Sequence, residues 1–89
     1  MHDVYLTRRA QKEIEKLGHE AQDRVLDAID DLMEDPTPVG SRLLRGDLFG
    51  DELDYYRIRV GDYRVIYTLQ DEEVDVLVVR VRHRRDAYR

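Results

Sequence analysis

The chain has 89 residues, no cysteine and a formal net charge of −5, which predicts one small domain with one core and no separate substrate and cofactor domains. The missing cysteine excludes disulfides, thiolate nucleophiles and cysteine-based zinc sites, and suits a reducing cytoplasm. No basic segment followed by an apolar run opens the chain and no eighteen apolar residues follow one another, so neither secretion nor membrane spanning is expected and the expected location is cytoplasmic.

Val4-Tyr5-Leu6 is a short strand candidate, and Thr7 is placed to cap a helix whose Ala10, Ile14 and Leu17 recur on one face before Gly18 stops it. A second helix, from His19 or Glu20, carries Ala21, Val25, Ala28, Ile29 and Leu32 on one stripe and ends at Asp35-Pro36. The turn between them is short, so an antiparallel helix hairpin is predicted, with both stripes buried against a sheet. Residues 36 to 54 hold both prolines, three glycines and a group of acids, and read as a long connection. Then Tyr56, Ile58 and Val60 alternate with Tyr55, Arg57 and Arg59. Gly61-Asp62 reads as a two-residue type II′ turn, and Tyr63 to Tyr67 as the next strand. A second hairpin around Asp71-Glu72 leads into an apolar strand from Val74 to Val81. The expected architecture is α+β: a short N-terminal strand, a helix hairpin and a three-stranded antiparallel meander, with the helices on one face.

Charge is unevenly distributed along this order. Residues 1 to 41 carry five Lys or Arg against ten Asp or Glu, whereas residues 42 to 89 carry ten arginines against ten acids. Many of the later acids fall in expected turns and the arginines on expected strands and on the tail His83-Arg84-Arg85-Asp86-Ala87-Tyr88-Arg89. Positive charge is almost all arginine, 13 against two lysines, either from composition bias or because the planar, always-charged fork suits phosphate and base stacking. Strand alternation places Arg57 and Arg59 on one face and Ile58 and Val60 on the other. If the Ile58 side meets the helices, the two arginines project from the uncovered face, and Arg64 joins them if the hairpin register permits. Arg80 and Arg82 likewise share a face. Such a face would bind a phosphodiester backbone through bidentate hydrogen bonds; the alternative is a solvated face whose arginines pair with acids such as Asp54 and Asp75.

The ordered combination Tyr5-Leu6-Thr7-Arg8-Arg9-Ala10, Leu44-Arg45-Gly46, Tyr56 to Tyr67 and His83-Arg84-Arg85-Asp86-Ala87-Tyr88 resembles the RelE toxins of the RelE/ParE toxin–antitoxin superfamily, over essentially the whole chain. The resemblance implies a single RelE-like toxin domain spanning residues 1–89. It also implies a ribosome-dependent endoribonuclease that cuts mRNA in the A site of the 30S decoding region without metal or other cofactor. The implied partners are the ribosome, its message and a RelB-like antitoxin, with no membrane. Carried over by position, the implied catalytic residues are Arg57, Arg59, Arg64, Arg84 and Tyr88. Arg64 and Arg57 would stabilise charge on a phosphorane-like centre after attack by the 2′-hydroxyl. Arg84 would serve the leaving-group side, and Tyr88 would stack on or orient a base.

Lysine is common at the strand positions in that family, and a lysine with a depressed pKa can accept a proton where arginine stays charged. His83 is therefore an alternative general base or acid, or else a strand-end histidine that packs locally. Arg82 stands where many relatives have glycine, and either adds a phosphate contact or crowds the tail. Arg45, Arg80, Arg82 and Arg85 complete the candidate RNA contacts, whereas Leu43 removes one by replacing a frequent lysine. His2, His19 and the acidic runs lack ligand spacing. A ParE-like gyrase poison and a degenerate antitoxin-binding module stand as alternative functions. The acidic N-terminal half fits either adaptation to high salt or a surface tuned to a particular ribosome.

Overall fold

The computed structural model describes residues 3–44, 49–50, 53–70 and 75–86. Its elements run β1 (Val4–Leu6), α1 (Arg8–Glu15), α2 (His19–Asp31), β2 (Arg42–Leu44), β3 (Tyr55–Val60), β4 (Tyr63–Gln70) and β5 (Asp75–His83). The five strands form one sheet in the order β1-β5-β4-β3-β2, with β1 parallel to β5 and the other pairs antiparallel.

Thr7 caps α1 as expected: its backbone is extended and its hydroxyl accepts from the Ala10 amide at 3.1 Å. The same hydroxyl donates to the Val79 carbonyl at 3.1 Å, so one side chain starts the helix and ties it to β5. Gly18 differs from the sequence expectation. It does not close α1 in a left-handed conformation; at φ −60 and ψ 157 it is the N-cap of α2, without a side-chain hydrogen bond. Gln22 then donates from Nε2 to the Ile14 carbonyl at 3.1 Å, joining the two helices across the turn. Regular α2 stops at Asp31, before Asp35-Pro36, and the chain leaves through turns in which Asp35 Oδ1 accepts from the Thr37 amide.

Both helices pack on one sheet face. Ala10, Ile14, Val25, Ile29 and Leu32 meet Ile58, Val65, Tyr67, Val76, Val78 and Val81 in one core cluster. The Tyr67 hydroxyl reaches out of this layer and donates to the Pro36 carbonyl at 2.6 Å. Burial pushes the Tyr67 phenol up from 10.0 to about 12, because the phenolate would lose water it cannot replace.

Two features depart from the expected three-stranded meander. Within the stretch read as a connection, Arg42–Leu44 pairs with β3, with Arg42 opposite Arg57. Three residues with one charge give little periodic signal, and the pairing is made by a strand more than ten positions away. The second feature is an irregularity between β4 and β5: Ile66 pairs Arg80 while Tyr67 pairs Val78, leaving Val79 as an extra residue. That bulge reverses the facing of β5. Val76 and Val78 lie in the core before it, and Val81 lies in the core after it, so Arg80 and Arg82 pass to the uncovered face. The turn joining β3 and β4 has two residues, with Gly61 at φ +58, in the left-handed region that primed turns require. The Asp71-Glu72 turn and Val74 lie outside the described residues.

Candidate functional site

The uncovered face is organised in rows across the strands. In one row Arg59 of β3 stands opposite Arg64 of β4, and Arg64 opposite Arg82 of β5. Three neighbouring strands thus place three guanidinium side chains side by side. Arg59 is exposed, and Arg64 and Arg82 are half-buried. Three like charges in line oppose one another and favour a bound polyanion.

The next row runs Arg42, Arg57, Ile66, Arg80, and its inner arginines are not open to solvent. Arg57 is 4% exposed and Arg80 7%. For Arg57 this corrects the expectation that it projects freely: Ile66 beside it and Tyr55 two residues along β3 are buried as well, and the Phe49 ring lies against Tyr55 at 4.7 Å. Arg80 is held by a carboxylate from the helix layer. Glu13 of α1 accepts from Arg80 Nε at 3.1 Å and from Nη2 at 3.0 Å. Arg80 is thus paired with an acid, and the acid is neither of the two the sequence suggested.

The root of the basic tail is fastened to the β3–β4 turn. The Arg84 amide donates to the Asp62 carbonyl at 2.7 Å, and Arg84 Nη1 lies 3.8 Å from Asp62 Oδ1 in a largely exposed pair. Arg64 Nη1 donates to the Tyr63 carbonyl at 3.1 Å and also approaches the Gly61 carbonyl at 3.4 Å. One hairpin turn therefore gathers Arg64 from the row and Arg84 from the tail. Residues 83 to 86 turn back, with the Asp86 amide donating to the His83 carbonyl at 2.8 Å, and Arg85 is exposed.

His83 ends β5 rather than starting a tail, and it lies on the other side of the sheet. It pairs Tyr63 in a row with Val60, two residues that pack on the core, and the His83 and Tyr63 rings meet edge to face at 5.6 Å. Its Nδ1 accepts from the Arg85 amide at 3.3 Å, which leaves the proton of the neutral ring on Nε2. The imidazole is thus separated from the arginine row by the sheet itself. Arg45 and Tyr88 lie outside the described residues.

An open groove of about 500 Å³ lies at the β2–β3 edge, between Asp31 of α2, the segment from Pro38 to Ser41, and Arg42, Arg57 and Arg59. Among the described residues no group of three His, Asp or Glu gathers as a metal site, and no helix is long and apolar enough to cross a membrane. Sequence reasoning missed Glu13, which looks like any polar residue of an amphipathic helix. It also missed Asp62, whose turn position signalled a hairpin but not an anchor for the tail.

Two helices on one face of this sheet and aligned arginines on the other define a small toxin of the RelE/ParE superfamily. The chain belongs to the ParE toxin family of type II toxin–antitoxin systems, described as the ParE toxin of parDE, whose profile matches residues 4–88. It is 36% identical over 87 residues to Toxin RelG of Mycobacterium tuberculosis, a match covering 97% of this chain and 94% of that protein. The fold matches RelE in the archaeal RelE-RelB complex of Pyrococcus horikoshii with a TM-score of 0.78 at 28% identity, covering 97% of this chain and 98% of the other. It also matches the intact E. coli RelBE toxin–antitoxin complex with a TM-score of 0.73 at 29% identity, covering 91% and 94%.

Proposed function

We propose that this toxin is a ribosome-dependent endoribonuclease that cuts mRNA in the decoding site, and that a RelB-like antitoxin restrains it. The observation carrying this reading is the Arg59–Arg64–Arg82 row, with Arg84 fastened at its end by the Gly61–Tyr63 turn. A line of guanidinium groups on a sheet face fits an extended polyanion better than a compact substrate. Cleavage by the neighbouring 2′-hydroxyl needs that hydroxyl deprotonated, charge on the phosphate stabilised and the 5′-oxygen protonated. Arg64 and Arg84 serve the charge that develops on the phosphate and leaving oxygen. Arg59 and Arg82 hold the flanking backbone, Arg85 and Arg45 extend that contact, and Tyr88 stacks on a base. Arg57 supports the face from within, and Arg80 shapes it through Glu13. Arginine is a poor proton acceptor, and His83 faces the helix layer, so the base is supplied by a group that joins the row only in the complex with ribosome and message.

Binding to programmed ribosomes followed by mapping of message ends tests the reading, with wild type compared against Arg64→Ala, Arg84→Ala and Tyr88→Phe. Message left whole by antitoxin-free wild type would refute it. The ParE description of the family favours a second reading, poisoning of DNA gyrase through protein contact. Inhibition of supercoiling with DNA breaks, and no cut message, would select that reading.

A further inference from the structure

We propose that Glu13 of α1 is a positioning residue of the arginine face, acting on substrate only through Arg82; this rests on the RNA-directed reading above. Strand β1 pairs with β5 only as far as Val78, so among the described residues the edge of β5 beyond it has no strand partner. Glu13 fills that position: its Oε1 accepts from the Val81 amide at 2.9 Å as well as from Arg80 Nε. Its Oε2 accepts from Arg80 Nη2 and stands 3.6 Å from Arg82 Nε. One carboxylate thus binds a strand edge and two arginines 67 or more positions away in the chain.

The two arginines are not bound alike. Arg80, with 8% of its side chain exposed, donates three hydrogen bonds, two of them from Nε, whereas Arg82, at 21%, makes one longer contact through Nε, on the stem side of its guanidinium. Glu13 carries one negative charge against two positive ones, and the buried cation claims most of it. Arg82 is left oriented but still cationic beside Arg64. A carboxylate held on three sides cannot follow a mobile partner, so it confines Arg82 instead. In this way the bulge that turns Arg80 and Arg82 to the open face is joined to a helix on the other.

The test is a double-mutant cycle in ribosome-dependent cleavage with wild type, Glu13→Gln, Arg82→Gln and the double variant. Glutamine keeps an oxygen for the Val81 amide and removes the charge, and rates are taken per folded molecule from thermal unfolding. Glu13→Gln alone is expected to lower kcat by about 10-fold, the scale of a misplaced substrate-positioning group, with little change in KM. In the Arg82→Gln background the same change should cost less than about 2-fold, since coupled residues are not additive. Losses that multiply, or a Glu13→Gln variant as active as wild type, overturn the inference while leaving the RNA reading intact. Wild type that leaves message uncut overturns both. The wild-type protein supplies an independent check: the Arg82 Nε–H NMR resonance should exchange with water more slowly than that of Arg59, and equal rates would overturn the clamp even if no variant folds.

Discussion

The two faces of strands β3 to β5 are made by the same backbone, one residue apart, and they keep their side chains in place by different means. On the helix side, Ile58, Val65 and Val81 form a row beneath α1 and α2, all buried in one cluster. Close packing alone confines them. On the other side, Arg59, Arg64 and Arg82 form the adjacent row, with no helix over it among the described residues; Arg64 is held by hydrogen bonds to turn carbonyls and Arg82 by an ion pair with one carboxylate. The comparison shows how a small toxin can hold repelling cations together: the core stabilises the strands, and a few polar contacts aim the arginines. It also separates two kinds of arginine on that face, those facing solvent and the inner pair, Arg57 and Arg80, that lie within the structure.

The division can be broken from either side. Leu32→Ala, at a fully buried position of the helix layer, should cost about 3 kcal/mol of stability in denaturant unfolding, within the range for such truncations. Cleavage per folded molecule should not change. A change in kcat at constant folded fraction would mean that the two faces are not independent.

Arg64→Ala and Arg84→Ala should each reduce cleavage by at least about 10²-fold, the scale for removing one transition-state donor. Their unfolding midpoints should stay close to wild type, since both side chains are anchored only at the surface. A parallel fall in stability would assign them to the scaffold instead.

Tyr67 sharpens the picture of the covered face through its pH dependence. Its phenol is raised to about 12 in the folded protein, against about 10 in an unfolded chain. The folded state therefore binds this proton more tightly, so the stabilisation is complete below pH 10 and falls as pH rises towards 12. Tyr67→Phe should remove this alkaline loss and, by deleting the bond to the Pro36 carbonyl, cost about 1 kcal/mol near neutrality. Ultraviolet titration of the phenolates checks the first point and unfolding at two pH values the second.

The smallest effect is expected at the turn between the helices. Gly18 caps α2 with no side-chain bond, has a φ of −60 open to any residue, and has nothing within 4 Å of where a Cβ would stand. Gly18→Asp should stabilise the protein by about 0.5 kcal/mol through a cap hydrogen bond and a less flexible unfolded chain. A neutral or negative result in thermal unfolding would show that the acidic N-terminal half outweighs the cap.

Much of this was legible in the sequence where the cause was local. Thr7 announced the start of α1, Gly61-Asp62 the two-residue turn, and the 3.6-residue stripe of α2 its buried side. Alternation in β3 correctly set Arg57 and Arg59 on the face opposite Ile58, and the structure turns the Ile58 side to the helices. The third strand misleads on the same rule, because unbroken alternation would put Arg80 and Arg82 with Val76 and Val78. An extra residue opposite Tyr67 reverses that, and nothing in a run of valines marks which one it is.

Sequence by itself determined the order of every element but β2, the two-layer arrangement and the gathering of arginines on the last strands and tail, because helix and strand periods are read from neighbouring residues. Tertiary structure alone decided which arginines are available. Arg57 is enclosed with its neighbours Tyr55 and Ile66, Arg80 is taken by a glutamate 67 positions away, the bulge brings Arg82 beside Arg64, and His83 turns to the helix side. Each depends on strand pairing or on an ion pair between distant segments, and those exist only after the chain has closed on itself.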